Sequence, residues 1–237
     1  MNRWIALPAS LAIAGGAMAM YGCGSDAITA DTVVVTETVA AAEADAPDAA
    51  AEESGAPAPQ KLTGSGMKVT SLNVARESPV VIEGTHRGES NFIVDVLGGD
   101  YPDNAFNEIG NYSGATVLTG LSVGKHRVKV NADGPWTLTV TQPDPPANPS
   151  GIPGAVTGKG SAVVWVRASA DIDPIIVGRH RGESNFIVDL MTPDGSGEEN
   201  LFNEIGDFTG ETTTSIPAGD YLMSVQADGS WSMRFKP

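Results

Sequence analysis

The ten residues HRGESNFIVD occur twice in this chain, at 86–95 and again, unchanged, at 180–189. The similarity continues on both copies in the same order. Two further motifs recur, namely FNEIG at 106–110 and 202–206, and VNADGPW at 130–136 as VQADGSW at 225–231. Colinear repeats of this kind indicate a duplicated structural unit. We therefore predict two modules, at 62–142 and 159–237.

Both modules have the alternating pattern that is typical of β strands. In NFIVDVL, the side chains of Phe92, Val94 and Val96 point to one side, and polar residues alternate with them. Further strands are predicted at 67–74, 79–84 and 115–119, and at 161–168, 174–178 and 211–216. Many short strands without a helical period predict an all-β fold, with two tandem small antiparallel β-sandwich or jelly-roll-like modules.

The repeated Asp-Gly pairs stand between alternating runs. Asp133-Gly134 and Asp228-Gly229 are therefore predicted to form β-hairpin turns, because glycine accepts the positive φ that such turns need. Trp136 and Trp231 follow on the apolar side of the next strand, and we expect them in the core. Trp165 has no aromatic counterpart in the first module, and we expect it to be exposed.

Six polar residues recur in each module and form the candidate site. They are His86, Arg87, Glu89, Asn91, Asn107 and Glu108, and His180, Arg181, Glu183, Asn185, Asn203 and Glu204. Three interpretations stay open: a ligand surface, a metal site, or a structural turn shaped by Gly88 or Gly182 in which arginine pairs with glutamate. One repeated histidine and no cysteine per module is a poor ligand set for zinc, so no metal ligand is assigned. We expect the repeat to serve the core, with Phe92, Val94, Phe186 and Val188 buried.

The acidic loops at 98–104 and 192–200 could offer oxygen ligands to Ca²⁺. Neither loop has the spacing of an EF-hand, and their lengths differ. No cofactor is therefore assigned, and calcium is kept as an alternative to a solvated loop.

The amino-terminal region predicts export and a lipid anchor. Arg3 precedes an apolar run, 4–20, that is short and interrupted by glycine and proline, which is typical of a signal peptide. The run ends at Gly22-Cys23, which resembles the lipobox of bacterial lipoproteins. This resemblance implies a signal peptide at 1–22, a lipid on Cys23, and a place on the cell membrane facing outside the cytoplasm. The alternative is cleavage after Ala19, which leaves a free thiol.

Two segments are predicted to connect structured parts. Residues 24–60 contain eight acidic residues and no basic or aromatic one, so 23–61 is predicted to be a disordered acidic tether. Prolines dominate 143–158, which predicts a semi-rigid linker. The composition of the tether resembles that of actinobacterial lipoproteins.

The three repeated motifs together resemble a module of uncharacterised exported bacterial and archaeal proteins. The pattern is His-x-Gly-x-Ser-Asn-Phe, Asn-Glu-Ile-Gly and Ala-Asp-Gly-x-Trp, and it covers most of 80–142 and 174–237. The resemblance implies a β fold outside the cytoplasm. It implies no activity.

Charge and missing motifs narrow the function. With 29 acidic and 14 basic residues the net charge is −15, which argues against a nucleic-acid partner. No nucleophile elbow, phosphate loop or His-Glu-x-x-His motif occurs. We expect a non-catalytic envelope protein that binds an unknown protein or polysaccharide, of undetermined oligomeric state. The alternatives are a hydrolase-like or metal-dependent extracellular enzyme and a structural spacer.

Overall fold

The structure is a computed structural model that describes residues 55–98 and 103–237. The predicted signal peptide, Cys23 and most of the predicted tether lie outside these residues. Strands account for all the regular structure described, and none of the described residues forms a helix able to cross a membrane.

The first module contains eight strands. They are β1 (Gln60–Ser65), β2 (Lys68–Val74), β3 (Val80–His86), β4 (Asn91–Leu97), β5 (Asp103–Ile109), β6 (Tyr112–Leu118), β7 (Gly124–Ala132) and β8 (Pro135–Thr141). They form two four-stranded antiparallel sheets in the orders β1-β8-β3-β6 and β2-β7-β4-β5. Only β4 and β5 are neighbours in both sequence and sheet, and every other connection in this module crosses between the sheets. This is the jelly-roll topology.

The second module repeats this topology. Its strands are β9 (Ser150–Ile152), β10 (Gly154–Lys159), β11 (Ala162–Ala168), β12 (Ile175–Arg181), β13 (Asn185–Met191), β14 (Glu199–Ile205), β15 (Phe208–Thr213), β16 (Gly219–Ala227) and β17 (Ser230–Lys236). The sheet orders are β10-β17-β12-β15 and β14-β13-β16-β11-β9. The prediction of an all-β fold with two tandem jelly-roll-like modules is confirmed.

Two predicted boundaries differ from the structure. β9 and β10 lie largely inside the segment that was predicted to be a linker, and β1 begins at Gln60, within the predicted tether. β10 lacks the alternation of buried apolar residues that predicts a strand, because Val156 is its only buried residue. β9 is an edge strand that runs parallel to β11, so the nearby prolines remove no central hydrogen bond.

The alternating faces meet in the core as predicted. Phe92, Val94, Phe186 and Val188 have no exposed surface, and His86 and His180 occupy equivalent buried positions. The tryptophans that follow the Asp-Gly pairs are also buried, at 3% exposure each. Their indole N–H groups donate to equivalent carbonyls, those of Gly66 and Gly160, at 3.0 and 2.9 Å.

The hairpin prediction at the Asp-Gly pairs is wrong. β7 pairs with β2 and β4, whereas β8 pairs with β1 and β3 in the opposite sheet. Neither Gly134 nor Gly229 has a positive φ. Each glycine is needed for close approach instead, because a Cβ on Gly134 would overlap the carbonyl oxygen of Arg87, and one on Gly229 that of Arg181. At each Asp-Gly pair the chain passes from one sheet of its module to the other.

The two modules pack against each other within one unit that spans 52–237. The edge strand β6 lies against β11 and β16. An apolar cluster fills the contact, with Val81, Met191 and Leu222 buried and Val117, Val163 and Trp165 partly buried. The backbone N–H of Ala115 donates to the carbonyl of Ser161 at 3.0 Å. The expectation that Trp165 is exposed is therefore wrong, since the neighbouring module partly covers it.

Candidate functional site

The repeated histidine belongs to a buried network at the end of β3. The His86 ring stacks on Phe92, with 4.9 Å between the centroids and 6° between the planes. Its Nδ1 lies 2.7 Å from the carbonyl oxygen of Gly110, which can only accept, so Nδ1 is the donor. The His86 ring thus connects HRGESNF to the glycine of FNEIG.

Asp133 joins the third motif to the same network. One carboxylate oxygen lies 3.2 Å from His86 Nε2, without hydrogen-bond alignment. The other accepts from the backbone N–H groups of Glu89 at 2.8 Å and Ser90 at 3.0 Å. The hydrogen bond from the Glu89 amide is the largest cause that lowers the pKa of Asp133, and Ser90 and His86 add to it. The carboxylate therefore holds the turn at 87–90.

The second module contains the same network. His180 stacks on Phe186 at 5.0 Å, and its Nδ1 donates to Gly206 at 2.8 Å. Asp228 lies 3.3 Å from His180 and accepts from the Glu183 amide at 2.8 Å. Burial works to raise the pKa of Asp228, but the amides of Glu183 and Ser184 outweigh it, and the pKa is lowered. The repeated motifs thus meet in a structural framework in each module.

The turn itself differs from the predicted turn in one respect. Gly88 and Gly182 do shape it, because a Cβ at either position would overlap the histidine ring and the aspartate. The expected arginine–glutamate pairing is wrong, since no ion pair of the described residues joins Arg87 to Glu89 or Arg181 to Glu183. All four side chains are exposed.

The other residues of the candidate cluster lie mostly at the surface. Asn91, Asn107, Asn203 and Glu204 are exposed, and Asn185 is half-buried. Glu108 is also half-buried, at the boundary between the modules. The structure therefore separates the cluster into buried framework residues and dispersed surface residues.

Sequence reasoning missed a repeated Asp–Asn pair. The register of β4 against β5 shifts after Val94, and there Asn104 Nδ2 donates to Asp95 Oδ1 at 2.9 Å. In the second module Asn200 donates to Asp189 at 2.7 Å. The sequence contains a signal for this pair, since an asparagine lies two residues before FNEIG in both copies. The hydrogen bond within each pair stabilises a β-bulge. It also gives a structural role to Asp95 and Asp189, the last residues of the two copies of the ten-residue repeat.

A groove between the modules is the best candidate for a ligand site. Two adjoining cavities, of about 100 and 400 Å³, share Glu108, Tyr112 and Ser161. Most of the remaining polar lining is amide or hydroxyl, from Asn104, Asn107, Asn111, Ser113, Thr116, Ser224 and Gln226. Lys159 and Asp228 contribute one charge of each sign. We call this surface the inter-module groove.

The environment of the groove changes the chemistry of two residues. Burial, and then the negative charge of Asp228, raises the pKa of Glu108. Burial is also the main cause that raises the pKa of Tyr112 to about 12, so its hydroxyl stays protonated. The corresponding residues of the second module are Glu204, which is exposed, and Phe208, which has no hydroxyl. The groove is therefore not repeated in the second module.

The second acidic loop has its own structural partners. Asp194 accepts from the Thr192 hydroxyl at 2.6 Å and from the Ser196 amide at 3.0 Å, and these bonds lower its pKa to about 2. Within 55–98 and 103–237 no group of three His, Cys, Asp or Glu residues could hold a metal ion. Residues 99–102 of the first loop lie outside the described residues. Calcium binding stays a prediction.

Comparisons with known proteins leave the assignment open. No protein-family model and no curated protein matches the chain. Among solved structures, the CBM22-1–CBM22-2 tandem domain of Xyn10C from Paenibacillus barcinonensis is 10% identical, with a TM-score of 0.24, and the match covers 74% of this chain and 91% of that one. An oxalate decarboxylase is also 10% identical, with a TM-score of 0.16, covering 77% and 73%. At these TM-scores neither similarity bears on function.

Proposed function

We propose that this protein is a non-catalytic binding protein of the cell envelope, and that the inter-module groove holds a neutral polyhydroxylated ligand, as in a wall polysaccharide. The amide and hydroxyl lining of the groove is the observation that carries the proposal. Amides and hydroxyls both donate and accept hydrogen bonds, as the hydroxyls of a saccharide do.

The charges of the groove support a neutral ligand. Tyr112 keeps its proton, so it can donate to a ligand oxygen. The negative charge of Asp228 disfavours a polyanion. Lys159 supplies a single positive charge to the groove, which balances Asp228 and leaves no net positive charge to attract a polyanion. Glu108 accepts hydrogen bonds when it is ionised and donates one when it is protonated.

We further propose that the protein is held at the outer face of the cell membrane by a lipid on Cys23. The apolar run before Gly22-Cys23 supports this placement. A flexible coil of the length of the predicted tether would average roughly 35 Å between its ends. That reach would hold the groove away from the membrane surface and among envelope polymers.

The binding proposal is tested by affinity electrophoresis in gels that contain soluble envelope polysaccharides. Glu108→Ala and Gln226→Ala should each weaken binding roughly fivefold, since each loses a polar contact worth about 1 kcal/mol. Glu204→Ala is the matched control, because Glu204 occupies the same repeat position and faces solvent. Equal effects of Glu108→Ala and Glu204→Ala would contradict a site in the groove.

One observation favours an enzyme as the second candidate. The pKa of Glu108 is raised and that of Asp228 is lowered, and both side chains line the groove. Two carboxyl groups shifted in opposite directions are typical of acid–base pairs in glycoside hydrolysis. However, Asp228 already holds a backbone turn, as Asp133 does in the first module. Release of reducing ends from the same polysaccharides, lost in Glu108→Gln, would support the enzyme.

A further inference from the structure

The contact between the modules uses different surfaces of the two jelly rolls. The first module contributes an inserting edge, the outward side of β3 and β6 with Val81, Ala115 and Val117. The second contributes a receiving face, the outward side of β11, β13 and β16. Its residues are Ser161, Val163, Met191, Leu222 and Ser224. Because the modules share one fold, each possesses both surfaces, and one surface of each module is left unused by this contact.

The unused receiving face on the first module presents exposed apolar side chains. The equivalent strand registers Lys68↔Val130 and Ala162↔Val225 define the correspondence between the modules. Ser161, Val163 and Met191 correspond to Met67, Val69 and Leu97, which are 74%, 64% and 38% exposed. Met191, by contrast, is only 2% exposed under the first module.

The unused inserting edge lies on β12 and β15 of the second module. Val81 corresponds to Ile175, which is 45% exposed. Ala115 and Val117 correspond to Glu211 and Thr213, both of which are exposed. The edge therefore keeps one apolar residue at the same place and gains exposed charges of both signs, Glu211 on β15 and Arg179 on β12.

The free receiving face carries positive charges on β7, and Asp95 lies opposite Lys129 on the neighbouring β4. Ser224 lines a cavity together with Ala115, and its counterpart in the first module is Lys129, which is exposed on β7. Leu222 corresponds to Arg127, which is also exposed. Repeating the internal contact between two copies would place Glu211 beside Lys129, and Ile175 beside Leu97. Glu211 now bonds Lys236 at 3.1 Å, and an exposed pair of this kind is weak.

We propose that a second copy of this chain docks its β12–β15 edge on the receiving face of the first module, in the manner of the contact inside the chain. Edge and face are different surfaces, so the contact is heterologous. Successive copies then join head to tail. Copies anchored in one membrane would meet at high local concentration, which favours a weak contact of this type.

Sedimentation velocity of the full chain over a range of concentrations tests the proposal. Wild type should show mass that grows with concentration. Lys129→Glu and Glu211→Lys should each weaken association roughly tenfold, because each places like charges at the contact. An equal mixture of the two variants should associate as wild type does. Copies of the two variants would alternate along the assembly. At one contact the new carboxylate at position 129 meets the new ammonium group at position 211, and at the next contact the native Lys129 meets the native Glu211.

Lys61→Glu is the matched control, because Lys61 is exposed on β1, outside both surfaces. It should leave association unchanged. Thermal midpoints of all variants are measured alongside, so that a folding defect is recognised, and Leu97→Asn repeats the test at an exposed apolar position. Wild type that stays monomeric at its highest soluble concentration overturns the proposal. A mixture that associates no better than the separate charge variants also overturns it.

Discussion

Replacing Phe92 by alanine tests whether the ten-residue repeat is a core element. Phe92 is fully buried, and its ring stacks on His86 at 4.9 Å and on Phe106 at 5.6 Å. Truncation of a buried phenylalanine costs about 3–5 kcal/mol. Small domains are stable by only about 5–15 kcal/mol, so this loss is a large fraction of the total.

Thermal unfolding followed by circular dichroism measures the effect. For a domain of this size each kcal/mol corresponds to about 4–8 °C, so the midpoint of the first module should fall by at least about 10 °C. Phe186→Ala makes the same change in the second module and should have a similar effect. Ile109→Ala is the control, because Ile109 is 78% exposed and its loss should change stability by no more than about 0.5 kcal/mol. A Phe92→Ala midpoint within about 3 °C of wild type would refute the core role.

Three other predictions concern pH, the anchor and the modules. The pKa values of Asp133 and Asp228 are lowered from 3.8, so the stability that they contribute is complete above that pH and is lost as the pH falls below it. The thermal midpoint should therefore fall on acidification, and less steeply with asparagine at both positions; an unchanged slope would contradict this. Cys23→Ser should release the protein from the membrane fraction or leave it unprocessed, and a mature terminus at Met20 in mass spectrometry would rule out the anchor. Residues 55–145 and 146–237, expressed separately, should each give a β-type circular-dichroism spectrum because each has its own core; a disordered spectrum from either contradicts independent folding.

The repeats located the buried histidine networks, but of the inter-module groove they predicted only Asn107 and Glu108. The histidines were identified because they recur, yet the partners of His86, Gly110 and Asp133, belong to motifs 24 and 47 residues further along the chain. Glu108 and Glu204 occupy the same position in the two copies of FNEIG, and the sequence does not distinguish them. Only the position of the second module distinguishes them, because it buries part of Glu108 and leaves Glu204 in solvent.

Local pattern determined the duplication, the repeated core residues and most of the strands, but not β1, β9 and β10. Alternation has a period of two on a strand, so Phe92 and Val94 could be assigned to the core before any pairing was known. The tertiary structure decided which strands are neighbours. Asp-Gly suits both a hairpin and a corner between sheets, and the choice at Asp133 depends on long-range packing that the local turn does not encode. The same holds for Met191 and Leu97, which occupy equivalent positions with opposite exposure, because burial between modules depends on which surface faces the neighbour.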